Sequence, residues 1–328
     1  TSYVALSHCW GAFQTYKTEK HSLNDRLTGL SWSHIPETFQ DAILITRSLG
    51  FHFIWIDSLC IVQDDLDDWA GESSRMNSVY ANAALTIAAA TAEDDTQGFL
   101  QRRYYASYLI PTGDNGTKIK IRRFLHDDSF DQPGPLARRG WVLQERLLSR
   151  RILYYEQDEM VWECRENRHC ECGHKLSFDR NKGTPSSKTP LVDAYYFTQS
   201  SVPTSETYSW WRKWVVPEYI LLQLTKLSDR LPALSGLATA MRLKSRVTYL
   251  AGIWLEDLAP SLLWRTFGHA RLVIDEYIAP SWSWASLNGR VDFGPGVEGI
   301  KFVRVVEYNI TITSKNPTGA ISGGSLKL

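Results

Sequence analysis

The sequence predicts an α/β domain with a mostly parallel sheet over residues 1–165, followed by an α+β region. Three observations lead to this fold class. Strand-like and helix-like patterns alternate over the first 165 residues, as they do where parallel strands are joined by helices. After residue 206, helical patterns come first and strand-like segments follow them. The chain shows no fixed-period repeat, so a solenoid or propeller is not expected.

The composition is that of a packed globular protein. The chain has 328 residues, of which 43% are hydrophobic and 22% charged. Lys and Arg number 36, as do Asp and Glu, so no net charge attracts nucleic acid or an anionic membrane. No apolar run reaches the roughly 18 residues that a membrane span requires. The five Cys are an odd number, and Cys9 and Cys60 lie in apolar runs, which predicts reduced thiols and a cytoplasmic location.

The first strand and the first helix follow from local patterns. The apolar run from Tyr3 to Ser7 predicts a buried strand. A helix begins near Pro36, with Glu37 in its first turn, where a negative charge is favourable. Gly50 stands where the helix would end.

Two further strands and the helix between them are predicted next. Residues 51–57 are rich in β-branched and aromatic side chains and end in Asp57, at the edge where open α/β sheets bind ligands. Residues 64–68 supply four acidic side chains that cap a helix running to Ala83. Residues 84–90 predict the third strand.

The rest of the first domain contains a hairpin, a helix and two strands. Asp114-Asn115-Gly116 is a strong hairpin-turn signal and predicts a β-hairpin insertion. The predicted elements are the hairpin strands Tyr108–Pro111 and Thr117–Phe124, the helix Gly140–Ser149, and the strands Arg151–Tyr155 and Met160–Cys164.

The remainder of the chain is divided into a linker and a second region. Residues 166–205 are polar and predict a linker or a long surface loop. Residues 206–328 are expected to form an α+β region that packs on the first domain. Pro217 should kink or divide the first helix of this region. The other predicted elements are the helix Leu231–Leu243 and strands at Val247–Trp254, Pro280–Leu287 and Lys301–Thr313.

A Cys/His cluster raises the question of a metal. Cys164, Cys170, Cys172 and His174 offer thiolates and an imidazole, which are zinc ligands. Cys-x-Cys is not the usual Cys-x-x-Cys spacing, and no second cluster completes the set. We therefore expect free or occasionally paired thiols and no metal, with a zinc-stabilised adaptor as the alternative.

The segment from Arg138 to Arg151 is the most informative one. On a helix, Trp141 and Glu145 lie one turn apart on the same face, an aromatic ring beside a carboxylate. One interpretation is a half-buried helix whose Glu pairs with Arg. The other is a site for an aromatic ligand that carries phosphate, because Arg binds phosphate and Trp stacks on rings.

Several segments carry motifs of a known family. They are Leu6–Gly11, Ile35–Ala42, Trp55–Asp64, Arg75–Ala83, Arg139–Arg146, Trp162–Cys164 and, downstream, Pro280–Ala285. In order and spacing these motifs resemble the fungal heterokaryon incompatibility (HET) domain, although His8 stands where Tyr is often found. The resemblance covers about residues 3–165, and the downstream segment resembles a motif common in the second half of such proteins.

The resemblance implies a fold and a chemistry. HET domains are distantly similar to TIR domains, a flavodoxin-like family with helices on both faces of the sheet, in which many members cleave NAD⁺ with one Glu. That Glu lies four residues after a Trp, a spacing that Trp141 and Glu145 keep, although the Cys of the TIR pattern is missing. The implied catalytic residue is Glu145. The implied substrate-binding residues are Ser7, Trp10, Gly11, Asp57, Arg139, Trp141 and Arg146.

The resemblance also implies a biological role, in non-self recognition and programmed cell death after fusion of incompatible fungal cells. One carboxylate suffices for NAD⁺ cleavage in principle, because nicotinamide leaves from a pyridinium without needing a proton. NAD⁺ would be the substrate, and no further cofactor is required. Expected partners are a second copy on activation and a partner incompatibility protein. The alternative function is a non-enzymatic, self-associating signalling or adaptor module.

Overall fold

A computed structural model describes residues 1–12, 16–101, 107–112, 117–122, 134–165, 167–173, 204–266, 271–272, 276–294, 304–313 and 316–328. It confirms the predicted fold class: a mostly parallel sheet flanked by helices, with a β-hairpin insertion and an α+β second half. The strands of the first half are β1 Val4–Ser7, β2 Ile54–Trp55, β3 Leu85–Ala88, β4 Ser107–Thr112, β5 Thr117–Arg122, β6 Arg151–Tyr155, β7 Met160–Cys164 and β8 Arg168–Cys170.

The main sheet has six strands in the order β2-β1-β3-β6-β7-β8. The first four are parallel, and β7 and β8 are antiparallel additions at one edge. The chain passes from β1 to β2 on one side and then returns to β3 on the other. The strand order therefore reverses between β1 and β3, and open α/β sheets bind ligands at such a point, beyond the carboxyl ends of the strands.

Helices cover both faces of this sheet. Val4 and Leu6 of β1 pack in one hydrophobic cluster with Phe39, while Ala5 packs in the cluster on the opposite face with Tyr80. All of β1 is buried, as expected of a parallel strand covered on both sides. The helices of the first half are α1 Leu23–Thr28, α2 Glu37–Ser48, α3 Asp57–Cys60, α4 Leu66–Asn82 and α5 Gly140–Leu148.

The ends of two helices form as the sequence predicts. Gly50 has φ +79° just beyond α2, a left-handed conformation that glycine adopts without strain, and the chain turns there toward β2. At the start of α4, the Asp65 carboxylate accepts hydrogen bonds from the backbone N–H groups of Asp67 and Asp68. The acidic run is therefore a helix cap, as predicted.

Several predicted elements differ from the structure. Strand β2 is shorter than residues 51–57, because Asp57 already begins α3. Most of Pro280–Leu287 is not a strand: Ser283 caps a 3₁₀ turn at Trp284–Ser286, with its hydroxyl accepting the N–H of Ala285. Strand β8 lies inside the predicted polar linker and forms because it pairs with β7 at the sheet edge. Residues 174–203 of that linker lie outside the described residues.

The second half is built from short helices and hairpins. The helices are α6 Thr204–Trp210, continued by a π-helical turn at Trp211–Val215, α7 Val216–Tyr219, α8 Pro232–Ser245 and α9 Leu258–Ser261. The strands are β9 Tyr249–Leu250, β10 Ile253–Trp254, β11 Trp264–Thr266, β12 Arg271–Leu272, β13 Leu287–Asn288, β14 Val291–Phe293, β15 Glu307–Ile312 and β16 Ile321–Lys327.

Both halves contribute to one hydrophobic cluster. Helix α8 contacts α4 and α5, and this cluster contains Leu143 from the first half and the fully buried Trp211 and Trp254 from the second. Within it, the Gln144 side chain accepts the backbone N–H of Gly236 at 3.1 Å. The predicted division at residues 165 and 206 stays a prediction. Among the described residues, no helix is long and apolar enough to cross a membrane.

Candidate active site

The carboxylate of Glu145 lies beside the carboxyl end of β1. Helix α5 carries Glu145, and the Ser7 hydroxyl at the end of β1 donates to its Oε2 at 2.5 Å. The two residues are 138 positions apart in the chain. The parallel sheet therefore brings together two of the residues that the sequence predicts for the site.

Burial dominates the electrostatics of Glu145. The residue is 5% exposed, and its pKa is raised from an ordinary 4.5 to about 7. Desolvation is the largest cause, and the negative charge of Asp57 adds to it. The hydrogen bond from Ser7 and the positive charge of Arg139 oppose the rise. At neutral pH both forms of this carboxyl group are populated.

A tyrosine from α4 completes the surroundings of Glu145. The Tyr80 hydroxyl donates to the carbonyl oxygen of Leu6 at 3.2 Å, and the residue is 1% exposed. Burial raises the pKa of Tyr80, and the charge of Glu145 raises it further. The sequence places Tyr80 in the predicted helix that runs to Ala83 and in the matching segment Arg75–Ala83, and neither pattern predicts its position beside the carboxylate.

Asp57 organises a second part of the site. Its Oδ2 accepts the indole N–H of Trp10 at 2.9 Å, and its Oδ1 lies 3.7 Å from Nδ1 of His8. His8 is buried, which lowers its pKa to about 4 against the opposing charge of Asp57. His8 is therefore neutral at pH 7. Trp10 and Asp57, two of the implied substrate-binding residues, are therefore in contact.

Arg139 lies close enough to Glu145 for its charge to act on the carboxyl group. Its guanidinium donates to the carbonyl oxygen of His8, and its charge acts on both Cys9 and Glu145. Burial raises the pKa of Cys9 to about 11 although Arg139 opposes the rise. The Cys9 thiol stays protonated at neutral pH and is not an activated nucleophile.

Gly11 shapes the loop that leaves β1. Its φ is +74°, and a Cβ at this position would clash with the side chain of Asp94. Asp94 lies in the segment that follows β3. The chain segments that leave β1 and β3 are therefore in contact at the point where the strand order reverses.

Trp141 and Arg146 face other parts of the molecule. The indole N–H of Trp141 donates to Asp229 at 3.2 Å, and its ring packs edge-on against Trp69. Arg146 forms an ion pair with the buried Glu163 at 3.5 Å. The structure thus removes Arg146 from the surroundings of Glu145 and gives it a structural partner. The stacking role of Trp141 stays a prediction.

The Cys/His cluster is arranged differently from its sequence spacing. Cys170 and Cys172 are joined by a disulfide, and their sulfur atoms and a carboxylate oxygen of Glu159 all lie within 4.8 Å of one another. Cys164 is a free thiol and is not in this group. His174 lies outside the described residues. Sequence spacing could not indicate Glu159, because it joins the cluster through the turn between β6 and β7.

These features define a class of protein: a doubly wound α/β domain with a buried acidic site where its strand order reverses. Residues 3–145 match the family described as Heterokaryon incompatibility protein (HET). Residues 3–145 therefore form a HET domain, a domain implicated in fungal heterokaryon incompatibility. No curated protein and no solved structure matches the chain. The family match includes the acidic site in full, since it ends at Glu145.

Proposed function

We propose that this HET domain binds NAD⁺ and cleaves its nicotinamide–ribose bond with Glu145. The protein then acts as a cytoplasmic effector of cell death in heterokaryon incompatibility. One observation carries the proposal. Glu145 is a buried carboxyl group with a pKa of about 7, positioned by Ser7 at the ligand-binding edge of an open α/β sheet.

The reaction needs one carboxylate and water. The bond between the ribose C1′ and the pyridinium nitrogen breaks, its electron pair passes to the ring, and neutral nicotinamide leaves. Water adds to C1′ and loses a proton to the solvent, which leaves ADP-ribose. The ionised Glu145 stabilises the oxocarbenium-like ribosyl centre, an electrostatic effect of about 3 to 4 kcal/mol for one well-placed group.

The neighbouring residues bind the substrate. Arg139 is the cation next to Glu145 and binds the pyrophosphate. Trp10, whose indole N–H is held by Asp57, stacks on the cationic nicotinamide ring. Because Glu145 is 5% exposed, the loop that follows β1 must shift for the substrate to reach the carboxylate.

The same low exposure favours a second candidate function. A carboxyl group that is 5% exposed and already bonded to Ser7 suits a structural role in a non-enzymatic module. Such a module would self-associate or recruit a partner incompatibility protein. It would neither bind nor consume NAD⁺, so the two candidates predict opposite results in one assay.

The assay is nicotinamide release from NAD⁺, followed by mass spectrometry over a panel of nucleotides. We expect the parent chain to release nicotinamide and Glu145→Gln to be slower by about 10² to 10³-fold, as when a single oxyanion-hole donor is removed. Glu37→Gln is the matched control, since it makes the same change at an exposed position of the same domain and should leave the rate unchanged. Equal nicotinamide release by Glu145→Gln and the parent would reject the catalytic role.

A further inference from the structure

We propose that Glu159, Cys170 and Cys172, when the cysteines are reduced, form a binding site for a thiophilic divalent cation such as Zn²⁺. This trio differs from the zinc alternative drawn from the sequence, because Glu159 replaces Cys164 and His174. Two thiolates and a carboxylate form a ligand set that zinc uses in proteins.

The fold brings the three side chains together. Cys170 ends β8 and pairs with Val161 of β7, and Glu159 immediately precedes β7. The Glu159 Oε2 lies 2.5 Å from the Cys170 sulfur. Glu159 is 3% and Cys170 5% exposed, while Cys172 is exposed. Two of the three ligand atoms are therefore held in the interior, and the third is open to solvent.

The backbone around the cysteines supports a thiolate. The N–H of Cys172 donates to the sulfur of Cys170 at 3.0 Å, an interaction that stabilises a negatively charged sulfur. Gly173 follows with φ +81°, and its N–H donates to the carbonyl oxygen of Cys170 at 2.9 Å. The Cys-x-Cys-Gly sequence thus folds into a tight turn in which a backbone N–H group points at the sulfur of Cys170.

The contact between Glu159 and Cys170 indicates what the cluster binds. A disulfide sulfur has no proton to donate, so the Cys170 sulfur, 2.5 Å from the Glu159 carboxylate, cannot donate a hydrogen bond to it in the oxidised form. In the reduced form the two thiols lose their protons to the solvent as one Zn²⁺ binds, and the carboxylate becomes a third ligand. A water molecule can complete the tetrahedron.

The proposed site is separate from the acidic site around Glu145. Both lie on the side of the sheet where the parallel strands end. Strand β8 is four strands from β1, which corresponds to about 19 Å at the usual strand spacing. A bound cation would tie the edge strand β8 to the turn before β7. Its role is therefore to stabilise the end of the sheet rather than to take part in chemistry at Glu145.

The test uses the full chain and Zn²⁺ itself. A phosphine supplies the two electrons that open the disulfide and is then removed without air. We expect the reduced chain to bind one Zn²⁺ by elemental analysis, and Co²⁺ in its place to give a thiolate charge-transfer band in the near ultraviolet. Cys170→Ser and Cys172→Ser should abolish that band, and Glu159→Gln should weaken Zn²⁺ binding by about tenfold or more.

The matched control is Cys60→Ser, which removes an exposed free thiol outside the cluster and should bind Zn²⁺ as the parent does. A chain with all five thiols titrated as reduced that binds no Zn²⁺ would overturn the proposal. Equal binding by the Cys170→Ser, Cys172→Ser double variant would overturn it as well. Neither outcome bears on nicotinamide release.

Discussion

Two buried glutamates, Glu145 and Glu163, have different partners. Glu145 lies on α5, and Glu163 pairs with the next residue of that helix, Arg146. Glu145 points to the end of β1, where a hydroxyl binds it. Arg146, about 100° further round the helix, pairs with the buried Glu163, which also accepts the Tyr154 hydroxyl at 2.8 Å. Glu163 has a cation within ion-pair distance, whereas Glu145 accepts a hydrogen bond from a neutral hydroxyl.

This difference in partners makes Glu145, rather than Glu163, the candidate for a chemical role. A buried carboxylate with a paired cation is a structural feature that stabilises one arrangement of the chain. The pKa of Glu145 is raised to about 7, which costs the ionised form about 3 kcal/mol in the folded state. A group that the fold destabilises in this way is a candidate for function, because stability alone would not favour it.

Breaking the ion pair should have the largest effect on stability. Glu163→Ala leaves Arg146, whose side chain is 16% exposed, without its buried carboxylate. We expect the free energy of unfolding to fall by about 3 to 5 kcal/mol. Urea denaturation at pH 7 measures this loss. A fall in the free energy of unfolding of less than about 1 kcal/mol is typical of exposed ion pairs. It would show that this pair adds little stability, and it would remove the contrast with Glu145.

Removing the charge of Glu145 should raise the free energy of unfolding instead of lowering it. Between about pH 4.5 and 7, folded Glu145 keeps a proton that the unfolded chain has lost, so stability falls as pH rises through this window. Glu145→Gln should therefore be more stable than the parent by up to about 3 kcal/mol at pH 8 and equal to it at pH 4. Paired urea curves at the two pH values measure the difference. His8, which titrates in both proteins, cancels from it. A variant that is less stable than the parent at pH 8 would contradict the free-energy cost that we assign to ionised Glu145 in the folded state.

The pH dependence of the reaction should report the same group. In the proposed mechanism the ionised form of Glu145 is the catalytic one, so nicotinamide release should rise with pH to a plateau, with its midpoint at about 7. The measurement is kcat/KM for NAD⁺ from pH 5 to pH 9, which reports the pKa of the free protein. A rate that is flat from pH 5 upward would show that no group with this pKa controls the reaction.

Replacing Ser7 should have the smallest of these effects. Its hydrogen bond lowers the pKa of Glu145, so Ser7→Ala should move the midpoint of the pH profile upward and leave the plateau within about tenfold. The change in stability should be about 1 kcal/mol. Thr86→Ala is a matched control, since it removes a buried hydroxyl that is bonded to Ser149 instead. An unshifted midpoint in Ser7→Ala would mean that this hydroxyl does not tune the carboxylate.

Local patterns could predict elements, and they could place residues at the sheet edge where ligands bind. The strand boundaries Arg151–Tyr155 and Met160–Cys164, the capping of α4 and the turn at Gly50 all follow from short-range chemistry. Strand β8 could not be predicted in this way, because its polar sequence becomes a strand only through pairing with β7.

Composition, spacing and motifs are enough to predict the alternation of strands and helices, the family, and the residue types of the acidic site. The contacts of the folded chain are needed to place Arg139 near Glu145, to pair Arg146 with Glu163 and to bring Trp141 to Asp229. They are also needed to bring Glu159 to the two cysteines. The physical reason is that side-chain direction and partners depend on elements distant in the chain, which no local pattern specifies.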